Sequence, residues 1–448
     1  MEAGRRVLIA GIMLSVFAIA FQTIGIATAL PTIMGYFETP HLYPWAFTTF
    51  VSGMLVATIA AGRVADLKGP AGPMYAGFGL FVAGLVVGSL APNVWVLLVA
   101  RLIQGLGAGA LNLTLSVTVA HGFDGRSRPK VMALISFCWL LPAFIGPPVA
   151  AALTRIDWRL VFALMLPLVF VSVAITRPGL RRVQADFEPD TDEVPRIAAW
   201  PTAAVAMAPS LILLAGQKLG WVSVASGVAG VALLVWGVPR ILAPRTRGLG
   251  PGIPSVVLTR ALQAGSFFAA ETILLVTLQD LRGLTPFDVG LALTVGSVGW
   301  TLGSWLQSQG WVRLTRDAFI TLGAIASSTG IAVIVVFAWV PSIHLFVGLL
   351  GWVISGLGMG LTMPSSAVAV MALSTQFEQG RHQSSMQVAE SIGNAVITAV
   401  AGGLYTALLA AEPQKLSYTT ALSATLVLSL AAVVLSRRIG RIANELHA

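Results

Sequence analysis

The sequence predicts an all-α integral membrane protein: two pseudo-symmetric six-helix bundles with two further helices inserted between them, fourteen spans in all. Three observations carry that prediction. Hydrophobic residues make up 56% of the 448-residue chain and charged residues only 10%, whereas soluble proteins carry about 25% charge. The apolar runs are mostly long enough to cross a hydrocarbon core of about 30 Å as helices, and they lack the short alternating segments of a β-barrel. One stretch also recurs. Leu97–Ala120, LLVARLIQGLGAGALNLTLSVTVA, is echoed from Leu349 by LLGWVISGLGMGLTMPSSAVAVMA, so that Gly356, Gly358 and Gly360 repeat Gly105, Gly107 and Gly109 at one constant offset. Small residues at this spacing let helices approach backbone to backbone in lipid, and two copies in register imply two related halves.

In chain order the spans are expected at 7–30, 45–62, 74–92, 94–120, 131–153, 160–176, 198–216, 221–242, 256–279, 288–307, 318–340, 343–373, 383–410 and 416–436. The first is too long for a signal-peptide core and lacks a cleavage site, so it is expected to remain as an anchor. The halves are then 1–176 and 256–448, with a charged loop and the inserted pair at 177–255. The loop Arg177–Arg196 is basic first and acidic later, as suits a solvated linker, and PRTRGLGPGIP before the last six spans breaks the helix with Pro and Gly. An even span count puts both termini on one side. Placing them in the cytoplasm of a cell (inner) membrane leaves only Arg155, Arg159, Lys218, Arg282 and Lys415 outside, with Arg101 and Arg260 inside spans.

The net charge of +9 is accounted for by cations facing the anionic inner leaflet, with no nucleic-acid partner required. The single cysteine, Cys138, excludes an intramolecular disulfide and a thiolate zinc cluster. The five histidines are scattered and no phosphate cradle occurs, so no enzyme chemistry, metal or cofactor is expected. Nothing reads as the filter of a channel. Paired repeats of six spans suit a transporter that rocks one bundle against the other around a midplane site, with a small molecule, protons and membrane lipids as partners and a monomer as the working unit.

Several motifs sharpen this reading. Between spans two and three, Gly62-Arg-Val-Ala-Asp66-Leu-Lys68-Gly69 resembles the signature G-x-x-x-D-R-x-G-R-R, departing at Leu67 and Pro70 where arginines are usual. Asp66 can cap or pair at a gate, the glycines permit a tight turn, and Lys68 supplies a point charge in place of a bidentate fork. Arg101, Gln104 and Gly105 resemble R-x-x-Q-G of span four. Pro142, Gly146 and Pro147 resemble a span-five antiporter signature, with Pro142 where a glycine is usual, and proline there gives a bent element. Trp158-Arg159 and Leu278-Gln-Asp-Leu-Arg-Gly283-Leu-Thr-Pro286, with Gly290, resemble outer loops of the same group. The chain thus resembles the major facilitator superfamily, in particular its fourteen-span drug:proton antiporter branch. That resemblance implies outward transport of drug-like molecules.

The first span departs from the branch pattern L-D-x-T-x-x-N-x-A-L-P. Here FQTIGIATALP carries Gln22 in place of the aspartate and Ala27 in place of the asparagine, and an amide cannot bind and release a proton. Of the 18 acidic residues, Glu271 and Glu390 lie clearly within spans, and an ionisable group there is a functional hypothesis by default. Glu271 takes the position in the second half related to that of Gln22, so it is the expected proton carrier, with Arg101 at a similar depth. Glu390 shares a helical stripe with Gln383, Gln387 and Asn394. Gln22, Trp139, Phe267, Phe268, Trp300, Gln387, Glu390 and Asn394 are the expected substrate contacts, because aromatic faces attract cations and few placed polar groups suit varied amphiphiles. A lipid or glycolipid exporter, or a facilitator that ignores protons, stands beside this reading on the same fold.

Overall fold

The computed structural model describes residues 3–39, 42–187, 199–217, 221–284, 286–340, 342–408 and 415–443. Among these residues there is no strand. In hydrocarbon every backbone N–H and C=O must find a partner within its own segment, which leaves apolar runs of Leu, Val, Ile and Ala no other conformation than helix. The helices are α1 Ala3–Tyr36, α2 Tyr43–Lys68, α3 Ala71–Ser89, α4 Val94–Gly122, α5 Arg128–Ile156, the single turn α6 Leu160–Ala163, α7 Met165–Ala185, α8 Ala199–Gln217, α9 Trp221–Ile241, α10 Ile253–Asp280, α11 Pro286–Leu306, α12 Arg316–Trp339, α13 Leu345–Leu373, α14 Gln379–Ala407 and α15 Lys415–Ser436. Twelve helices among the described residues are long and apolar enough to cross a membrane, α6 and α7 counting as one. The fourteen expected from sequence go beyond that number. α8 and α11 occupy the two other expected positions as helices of 19 and 21 residues, but the apolar part of α8 is only Trp200–Ile212.

Helix ends follow local chemistry. The Asn93 side chain caps α4 by accepting from Val96 N–H at 3.0 Å, and Gly69 closes α2 at φ +83°, a conformation that favours glycine. Several helices overrun the hydrocarbon: α1 has 34 residues, about 50 Å at 1.5 Å per residue. One expectation fails for this reason. The segment from Arg177, read as the start of a solvated loop, continues α7 to Ala185 through Pro178. Charge ends the membrane-compatible stretch without ending the helix. The acidic remainder at 188–198 lies outside the described residues.

The chain forms two compact units. The first contains residues 1–124, 137–243 and 374–388, and the second 125–136, 244–373 and 389–448. In the first unit α4 packs against α2 and α3, and its repeated glycines show why. A Cβ on Gly105 or Gly109 would land on the α2 backbone at Phe50 or Met54, and one on Gly107 would land on the α3 backbone at Phe81. In the second unit α13 packs against α11 and α12 by the same device: Gly356 and Gly360 lie against the Gly296 and Trp300 carbonyls of α11, and Gly358 against the Gly323 carbonyl of α12. The recurring triplet is therefore a two-faced backbone contact, used once in each unit.

Its weight can be tested. Leu at Gly105 or Gly356 has no space to enter, because the neighbour is backbone that cannot rotate away. Either variant is expected to reduce the folded, monodisperse fraction several-fold in fluorescence-detected size-exclusion chromatography. Gly72→Ala, where a Cβ meets nothing within 4 Å, should match the parent.

Candidate functional site

The last turn of α2 places Asp66 in the first unit with 2% exposure. Its carboxylate accepts the Gly380 N–H at 2.7 Å and the Arg381 N–H at 2.8 Å, and its second oxygen lies 3.3 Å from Arg381 Nε. These donors are in the first turn of α14, so Asp66 caps a helix N-terminus, where unsatisfied N–H groups and the helix dipole favour an anion. Gly62, one turn earlier on α2, leaves room for that turn: a Cβ there would press on Ser384 and the Gly380 carbonyl. Gly69 lies against the Gln184 amide, which accepts from Ala71 N–H at 3.1 Å and donates to the Lys68 carbonyl at 2.8 Å. The Lys68 side chain is exposed. The cation that meets Asp66 is Arg381, which the sequence alone did not pair with it.

Arg101 is 1% exposed. It donates from Nε to the Ala46 carbonyl at 3.1 Å and from a terminal nitrogen to Gln104 Oε1 at 2.8 Å, and its guanidinium lies 4.3 Å from the Phe50 ring centre. Gln104 in turn donates to the Gly84 carbonyl of α3 at 3.2 Å. The R-x-x-Q pair thus straps α4 to both neighbours. Arg101 does not meet Gln22, whose buried amide has no hydrogen-bond partner at either end among the described residues. In α5, Pro142 and Gly146 are buried within one continuous helix, while the side chain of Pro147 lies outside the described residues. Trp139 is 36% exposed and makes no ring contact among the described residues.

The second unit carries the denser constellation. From α10, Arg260 donates to Glu390 of α14 at 2.6 Å, to the Met363 carbonyl at 2.5 Å and to Ser366 of α13 at 2.7 Å. A charge-assisted bond between opposite charges is the form in which charge persists in a membrane interior. Further along the same helix Phe267 stacks on Trp352 at 4.5 Å between ring centres and meets Trp300 and Phe268 edge-on at 5.6 and 5.5 Å. On the same helix Thr259, next to Arg260, begins a stripe with Gln263 and Ser266, at i, i+4 and i+7, that ends beside Phe267. All three are fully buried, and none of their side-chain polar atoms has a hydrogen-bond partner among the described residues. Leaving a buried polar group unpaired costs about 1–3 kcal/mol.

Glu271 follows Phe267 and Phe268 on α10, half-buried, with no hydrogen bond or ion pair among the described residues. Asn394 accepts from Thr398 at 3.3 Å. Gln387 belongs to the part of α14 in the first unit, and Glu390 and Asn394 to the part in the second. The structure brings Phe267, Phe268 and Trp300 into ring contact and adds Trp352 to them, with Arg260 and Gln263 on the same helix as Phe267. Arg260 had a sequence signal as one of two cations inside spans.

The all-helical membrane fold, the repeated glycine-packed helices and the capped Asp66 turn define a secondary transporter of the facilitator class. A family model described as Major Facilitator Superfamily matches residues 12–398, and the chain belongs to that superfamily. It is 24% identical over 427 residues to the "Multidrug transporter protein MdtP" of Bacillus subtilis, covering 90% of this chain and 77% of that one. It is 27% identical over 414 residues to the "Multidrug resistance protein Stp" of Mycobacterium tuberculosis, covering 89% and 75%. The human organic anion transporter MFSD10 (TETRAN) superposes with a TM-score of 0.73 at 13% identity, covering 97% of this chain and all of that one, which bears on the fold alone.

Proposed function

We propose that this chain exports amphipathic small molecules, drug-like and cationic or neutral, in exchange for protons by alternating access, as a fourteen-span protein with both termini in the cytoplasm. The observation that carries the reading is the stripe Thr259, Gln263 and Ser266, without hydrogen-bond partners among the described residues, running alongside an ion pair to an aromatic cluster. Buried hydrogen-bonding capacity left unfilled next to aromatic rings suits a molecule that is itself amphipathic. Rings attract a cationic group by about 0.5–2 kcal/mol, while the few placed polar groups suit varied cargo better than hydroxyl-rich sugars. Efflux relatives at about this identity support the direction. Glu271 is the proton carrier in this scheme. Its charged form has no partner in the hydrocarbon, so a proton is what compensates it. Glu390 stays engaged with Arg260.

The test is gain of function. A host stripped of its own efflux pumps and expressing this chain is expected to tolerate several-fold more ethidium-like cation, and cells should extrude ethidium when energised. Gln263→Leu should remove most of that gain while leaving the protein folded, since it fills the stripe with apolar atoms. If well-folded protein gives no resistance and a co-purified lipid raises its melting temperature, the cargo is lipid and the drug reading falls.

A further inference from the structure

A different face of the first unit carries a second binding surface. Between α3 and α7 lies an open cavity of about 360 Å³ lined by Tyr75, Val173, Arg177 and Arg181. We propose that this cavity holds the phosphodiester of an anionic phospholipid, with the acyl chains running along the apolar faces of α7 and α3.

Charge is the first argument. Arg177 and Arg181 sit at i and i+4 on α7, both exposed, and neither has a hydrogen-bonding or ionic partner among the described residues. Like charges at that spacing repel, and a shared anion reverses the sign. Arginine forks match phosphate oxygens bidentately, and the Tyr75 hydroxyl, on the facing helix, supplies a third donor.

Position is the second argument. These arginines stand one to two turns before Gln184, whose bonds to Ala71 and Lys68 fasten α7 to the end of α2 and the start of α3. The cavity walls are therefore fixed at the level where helices leave the hydrocarbon. Away from that end the lining turns apolar at half-buried Val173, and the nearby Phe170 and Val171 on α7 and Leu80 on α3 are exposed. A Cβ at Gly79, one turn from Tyr75, would meet nothing within 4 Å, which leaves space for a chain beside the ring. A soluble anion would have no use for that apolar continuation.

The experiment is a melting-temperature titration of purified full-length protein with dioleoyl-phosphatidylglycerol, dioleoyl-phosphatidylcholine or inorganic phosphate. Phosphatidylglycerol is expected to raise the melting temperature saturably, and the other two to leave it near baseline. R177Q/R181Q should weaken the phosphatidylglycerol response at least about tenfold, the loss of one to two charge-assisted bonds. R437Q/R438Q, also exposed cations beyond a helix end, should respond as the parent does. Tyr75→Phe removes one hydroxyl without touching charge or packing; it should weaken the response two- to fivefold, and it decides the matter if the double variant does not fold. Equal responses in parent and cavity variants overturn the site. An equal loss in R437Q/R438Q shows general charge attraction and overturns it as well. Stabilisation by phosphate alone, matching that by lipid, assigns the cavity to a soluble anion and overturns the lipid.

Discussion

Asp66→Asn is expected to leave the protein folded in the membrane and to slow ethidium efflux by at least an order of magnitude. The amide has the same shape as the carboxylate, so the turn at Gly62–Gly69 can be retained. What changes is the acceptor. Asp66 takes two backbone N–H bonds from Gly380 and Arg381 and faces the Arg381 guanidinium while 2% exposed. Asn has one oxygen to accept with and no charge for the helix end. Hydrogen bonds to a charged group are worth about 1.5–3 kcal/mol each, against about 0.5–1.5 for neutral ones. A net loss of about 2 kcal/mol moves the equilibrium between arrangements with and without the contact roughly 30-fold.

The contact sits where such a shift is passed on, because α14 begins in the first unit and continues into the second. The check has two parts in a Cys138→Ser background. A cysteine at Gln379, 6% exposed beside the contact, should be labelled faster by a maleimide when Asp66 is Asn, and efflux should slow in parallel. Parent-like labelling and parent-like efflux together would remove Asp66 from the gate.

How much of this was legible in the sequence depends on the physics involved. Hydropathy and the recurring glycines are properties of a run of residues, and both carried through to helices and to backbone contacts at Phe50, Met54, Gly296 and Trp300. Position along a helix was legible too, since rise per residue is fixed. Rotation about the helix axis and long-range pairing were not. Arg101 was placed at a plausible depth for meeting an acid, yet its bonds go to the Ala46 carbonyl and Gln104. Asp66 looked like a gate residue, but its partners lie more than three hundred residues away in the chain. Gln263 and Trp352 drew no notice, because a neutral amide and a ring in an apolar helix look like packing until the structure shows which atoms lack partners. Helix length was misjudged where charge was taken for an end, as at Arg177 in α7.

The two acids inside α10 and α14 should separate cleanly on substitution. Glu390 accepts from Arg260 at 2.6 Å, so Arg260→Met strands a carboxylate. Removing one member of a fully buried pair costs about 3–5 kcal/mol, and this pair, with side chains 13% and 27% exposed, should cost less; the variant should still lose some folded protein, whereas Glu390→Gln keeps a hydrogen-bond acceptor for Arg260 and should lose less. Glu271 has no such partner among the described residues, so Glu271→Gln removes no contact and should leave the amount of protein and its melting temperature near those of the parent. Its effect should fall on coupling. In proteoliposomes with an imposed pH gradient, the parent is expected to drive ethidium against its concentration, and Glu271→Gln to lose that accumulation while still catalysing counterflow of labelled for unlabelled cargo, which needs no net proton movement. An accumulation unchanged in Glu271→Gln but abolished in Glu390→Gln at equal protein would transfer the proton to the ion pair. A parent that ignores the gradient while catalysing counterflow would make the chain a facilitator, and the glutamine at position 22 would then be the change that uncoupled it.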